Sequence, residues 1–101
     1  MGLKETLQHD LTESMRAKDE IVMATIRLAL TAITNEEVAG KEAKTLSEAE
    51  IIQVLSREAK KRRESAEAFD AAGRPDRAER ERGEGEIIAR YLPQQLSAAE
   101  L

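Results

Sequence analysis

Cysteine and tryptophan are missing from this sequence, and phenylalanine and tyrosine occur once each. Without thiols there is no disulfide framework and no thiolate metal site, and a reducing compartment is permitted. With aromatics at 2% of residues, sheet-rich cores and ring-stacking surfaces are both disfavoured. No stretch approaches the roughly 18 consecutive apolar residues of a membrane span, and the polar opening MGLKETLQHD holds no apolar leader segment. No membrane partner is expected, and the chain reads as cytoplasmic. Basic residues are outnumbered by acidic ones, 16 to 20, for a net charge of −4. Any surface for nucleic acid must then be a local basic patch on an acidic body.

What remains is aliphatic and charged: 41% hydrophobic residues beside 36% charged ones, a balance that suits amphipathic helices with Leu, Ile and Ala seams. At 101 residues the chain is one domain, too small for a core plus a separate catalytic lobe. Leu3, Leu7, Leu11 and Met15 recur every fourth residue and predict a first helix. Lys18-Asp19 breaks it, and Asp19 can cap a second helix whose apolar stripe is Ile21, Val22, Ile26, Ala29, Leu30 and Ile33, with a stop near Gly40. After the loop GKEAKT, Ser47 and Glu50 form a capping box, and Leu46 is placed to staple onto Ile51. That third helix runs through Leu55, Ala59, Ala66 and Phe69 to Gly73. Pro75 then opens a fourth, which continues through Ile87 and Ile88 until Pro93 ends it. Gly83 and Gly85 weaken this fourth helix, and a close neighbour is a better reason for them than a hinge. The fold class is all-α, a compact four-helix array with short turns.

Chemistry is hard to find. The lone histidine, His9, sits off the leucine line with no second ligand or orienting acid. The serines lack a nucleophile-elbow context, there is no glycine-rich phosphate loop, and no Glu-x-x-His pair offers a bundle metal site. No cofactor, no metal and no autonomous catalysis are expected.

The run SREAKKRRESAEAF is the informative one. At about 100° per residue, Arg57, Lys60 and Lys61 face away from the apolar line, with Glu64 and Glu50 offsetting part of their field. Arg62 falls on the apolar line itself and must snorkel out or meet a carboxylate, for which Glu81 and Glu84 are the candidates if the last two helices form a hairpin about Gly73. It is read either as an interhelical pair that fixes register or as a ligand-facing group. Arg63 and Arg74 are candidates for phosphate contact.

The segments REAKKRRESAEAFDAAGRPD and EGEIIARYLPQQLSAAEL resemble the GatB/YqeY family, as does IRLALTAITNEEV in the second helix. These are YqeY-like proteins, similar to the tail domain of the GatB component of the glutamyl/aspartyl-tRNA amidotransferase. The chain departs from the family's common pattern at Arg77, where leucine is usual, and at Gly83 and Gly85. The resemblance implies a helical front subdomain, residues 1–96, followed by a smaller helical one of which only the first turn, 97–101 with its Ser97-to-Glu100 capping box, is present. It also implies a tRNA-associated accessory role in which carbon-nitrogen ligase chemistry belongs to the assembly. The expected nucleic-acid-binding residues are Lys60, Lys61, Arg62, Arg63 and Arg74, and the expected partners are tRNA and an amidotransferase or other tRNA-handling protein. The alternative is a helical protein-interaction module docking on such an enzyme.

Overall fold

The computed structural model describes residues 2–93, so the capping box at Ser97 and the boundary at residue 96 lie outside the described residues. Its elements are α1 (Leu3–Ala17), α2 (Glu20–Glu37), α3 (Glu48–Ala71) and α4 (Pro75–Ala89), with no strand among the described residues. The all-α reading holds.

Local chemistry sets each boundary. Lys18, with φ of 57°, takes the left-handed conformation that closes α1, and the Asp19 carboxylate accepts from the Val22 N–H to open α2. At α3 the capping box is complete, the Ser47 hydroxyl accepting from the Glu50 N–H and the Glu50 carboxylate from the Ser47 N–H. These contacts, the Ser47 backbone donor first and the Lys44 ammonium next, hold the Glu50 carboxyl below its ordinary range. α3 ends in a Schellman motif: Gly73, at φ of 76°, donates to the Asp70 carbonyl and Arg74 to the Phe69 carbonyl. Pro75 then begins α4 at its first position.

α1 and α2 run antiparallel, Lys4 reaching Glu37 at one end and Met15 touching Arg27 at the other. α3 and α4 form the second and more extensive hairpin. The core between the two hairpins is built from Leu7, Ile26, Ala29, Ile33, Leu46, Ile51, Val54, Leu55 and Ile88. The N-terminus of α1 has no side-chain cap of its own, and the Glu48 carboxylate at the start of α3 accepts from the Leu3 N–H instead.

Two expected core positions are corrected. Met15 and Ile21 are exposed at 43% and 46%, while Ser14 is buried, its hydroxyl donating to the Leu11 carbonyl. A spacing of four advances the helix by about 400°, so a line of fourth residues drifts by about 40° per step and has left the core face by Met15. Ser14 lies seven residues after Leu7 and stays beneath it.

Candidate nucleic-acid interface

The expected binding residues lie on α3 and at the turn into α4, and the hairpin register decides which of them face outward. Three contacts define that register: Arg62 with Glu84, Asp70 with Arg82, and the close approach of Ala59 and Arg62 to Gly85. A Cβ added at Gly85 would sit 3.4 Å from the Arg62 Cβ, so this glycine marks a tight helix crossing. Gly83 has nothing within 4 Å of such a Cβ, and the close-neighbour explanation fails there.

Arg62 turns inward. Its guanidinium donates to Glu58 Oε1 at 2.9 Å, and its Nε lies 3.6 Å from Glu84 Oε1, with side-chain exposures of 12% for Arg62 and 10% for Glu84. The second contact attracts by charge but is too long for a hydrogen bond, and the Nε is buried without an acceptor. Glu84 is held on its other oxygen by Arg80 at 3.3 Å. Between the two carboxylates considered for Arg62, Glu84 is the partner.

The other residues differ in how free they are. Lys61 is exposed but pairs with Glu58 at 3.2 Å, and Arg57 reaches across to Glu36 on α2 at 3.3 Å. Arg74 occupies the N-cap position of α4 without a side-chain capping bond, and its Nε lies 3.5 Å from Asp76 Oδ1. Lys60 and Arg63 are exposed, share one face of α3 one turn apart, and form no ion pair among the described residues. Glu67 projects from the same face and dilutes their field.

Two arginines of α4 belong to this surface and were not among the sequence candidates. Arg82 donates to Asp70 at 2.8 Å, a hydrogen bond that, with the Asp70 charge, holds its proton more firmly. Arg77, at the position where leucine was expected, lies over the Phe69 ring at 5.3 Å. The signal that finds both is the hairpin register about Gly73, which sets these α4 positions opposite the last turns of α3. His9 is exposed on α1, and no group of three or more acidic or imidazole side chains among the described residues is arranged to hold a metal.

Across the far end of the molecule, the Tyr91 hydroxyl donates to Asp10 Oδ2 at 2.5 Å and ties the end of α4 to α1. Burial, and then the Asp10 carboxylate, push the Tyr91 phenol well above its usual range. No helix among the described residues is long and apolar enough to cross a membrane.

The chain is 37% identical over 95 residues to "Altered inheritance of mitochondria protein 41, mitochondrial" of Saccharomyces cerevisiae (strain YJM789), covering 94% of this chain and 51% of that protein. Proteins of the same name from Lachancea thermotolerans and Candida glabrata are 38% and 33% identical, covering 93% and 94% of this chain and 50% and 53% of theirs. The chain thus spans about half the length of the curated relatives it matches. The model of the YqeY-like protein family matches residues 4–101. With that match over nearly its whole length, the chain belongs to the YqeY-like family, the family of the GatB C-terminal-like domain.

Proposed function

We propose that this domain is a tRNA-associated accessory module, non-catalytic on its own, that contacts phosphates through the outer face of α3 and the α3–α4 turn. The observation that carries this reading is the pair Lys60 and Arg63, two exposed cations on one helix face that form no ion pair among the described residues. Lys61 and Arg74, each with one acidic partner, extend the surface toward either side. Arg62 supports it from beneath by fixing the hairpin. Family membership adds the likeness to the tail of the tRNA amidotransferase component, whose carbon-nitrogen ligase chemistry belongs to the assembly.

Few contacts and a net charge of −4 make the binding weak, with a shallow but measurable salt dependence set by the number of phosphates contacted. The tRNA is a ligand of this module, which we place in the cytoplasm; the matched relatives are themselves named as mitochondrial proteins. Titrating labelled tRNA across a salt series tests the reading, which expects log affinity to fall linearly with log salt. A flat response, or no binding at low salt, overturns it.

One observation favours a second reading, docking on an amidotransferase or another tRNA-handling enzyme. Ile21 and Leu28, exposed at 46% and 43%, are seven residues apart and share one line on α2. Recovery of a tRNA-handling protein after nuclease treatment, lost in Leu28→Glu, supports it; recovery unaffected by that change counts against it.

A further inference from the structure

A groove between α3 and α4 lies beside the two free cations, lined by Ala59, Arg63, Arg82, Gly85, Glu86 and Ala89. We propose that it receives an unpaired base of the bound RNA, stacked on the Arg82 guanidinium while Arg63 and Lys60 hold the adjoining phosphates. The proposal rests on the tRNA reading above and names what that surface takes.

The floor is made of Ala59, Gly85 and Ala89, none with more than a methyl group, and the close helix crossing at Gly85 keeps it shallow and smooth. The walls are arginines of opposite character. Arg82 is tethered at one terminal nitrogen by Asp70 at 2.8 Å and half exposed, which keeps its guanidinium at the groove. Arg63 forms no ion pair among the described residues and can follow a phosphate. Bases that leave a stack settle on aromatic rings or on guanidinium planes. Phe69 lies under Arg77, Tyr91 is tied to Asp10, and neither they nor His9 on α1 line the groove, so stacking there falls to arginine. Lys60 stands one turn before Arg63 on the same face, about 5–6 Å away at the Cβ atoms, so a second cation adjoins the one that lines the groove on its α3 side. Their charge selects a polyanion, while the apolar floor selects a flat, poorly hydrated group attached to it. A base inside a duplex has both faces covered and cannot enter. Glu86 at the mouth repels phosphate and accepts hydrogen bonds, which suits an amino-bearing base edge.

The test uses oligocytidylate of about 12 nucleotides and an RNA duplex of matching length as probes. Ala89→Leu fills the groove without touching a charge, at an exposed last residue of α4. Asp70→Asn weakens the tether that keeps Arg82 at the groove and serves as a second variant. The expected result is tighter binding of oligocytidylate than of duplex, a loss of at least about fivefold for oligocytidylate in either variant, and, for Ala89→Leu, which changes no charge, an unchanged salt slope and unchanged duplex binding. Oligocytidylate binding unaffected by both folded variants overturns the base groove and leaves the tRNA reading standing. Absence of all RNA binding by the unmodified chain overturns both. Binding of a Glu-rich helical peptide that Ala89→Leu abolishes, with oligocytidylate unaffected, assigns the groove to a protein and also overturns the proposal.

Discussion

Arg62 and Glu84 face each other across the α3–α4 hairpin with Nε 3.6 Å from Oε1, nearly buried and each shared with a second charge, Glu58 for the arginine and Arg80 for the carboxylate. Removing one partner strands the other in a poorly hydrated site, whereas removing both with apolar replacements leaves only Glu58, which keeps Lys61, and Arg80, which is more than half exposed to water. Glu84→Ala is expected to lower unfolding free energy by about 2–3 kcal/mol, at or below the bottom of the range for buried pairs because Glu58 still answers Arg62. The double variant Arg62→Met/Glu84→Leu should recover most of that loss in urea unfolding. If the double variant is less stable than Glu84→Ala, the pair is not the register lock described here.

The Tyr91 phenol offers a reporter of the α1–α4 contact, since it is the only tyrosine of the chain. Burial and the Asp10 acceptor raise its proton affinity above the ordinary value of 10.0 in the fold. Folded protein therefore keeps a proton that unfolded chain has released, so this contribution to stability is complete below about pH 10 and is lost as pH rises further. Tyrosinate absorbance should titrate above the free phenol, and Asp10→Asn should bring the midpoint down while burial keeps it raised. Tyr91→Phe is expected to cost about 1–2 kcal/mol, the worth of a hydrogen bond to a charged acceptor in a half-buried setting.

Gly83 and Gly85 should answer differently to alanine. Both changes gain helix propensity, roughly 0.8–1 kcal/mol. At Gly83 the new methyl meets nothing within 4 Å, so thermal denaturation should show the full gain. At Gly85 it comes 3.4 Å from the Arg62 Cβ, and the gain should shrink or vanish. Equal stabilisation at the two sites would mean the helices do not cross closely at Gly85.

Much of this architecture is legible in the sequence, because it is written in local chemistry. The Ser47–Glu50 box, the Asp19 cap, the Gly73 stop and the Pro75 start each involve residues within a few positions of one another. Arg62 is legible too, since a guanidinium on an apolar line demands a carboxylate, and hairpin geometry narrows the choice to Glu81 or Glu84. What fails is drift and distance. The fourth-residue line overshoots at Met15 and hides buried Ser14, and Ile21 falls at the edge of the α2 stripe. The Glu48 cap on Leu3, the Asp10 contact of Tyr91 and the Asp70 contact of Arg82 join residues far apart in sequence, which no local pattern announces. The separation of Lys60 and Arg63 from Lys61 and Arg62 rests on Glu58, three and four residues before the two paired cations, together with the distant Glu84, and the basic run read without Glu58 does not show it.

That separation is what function turns on, and salt-dependent binding measures it most directly. Affinity for tRNA should be compared between the unmodified chain, Lys60→Gln/Arg63→Gln, and Arg57→Gln, which removes a cation already paired with Glu36. The account predicts that the double variant reduces the slope of log affinity against log salt by about 2, one for each lost phosphate contact, while Arg57→Gln leaves the slope unchanged. A double variant with the slope of the unmodified chain would contradict it.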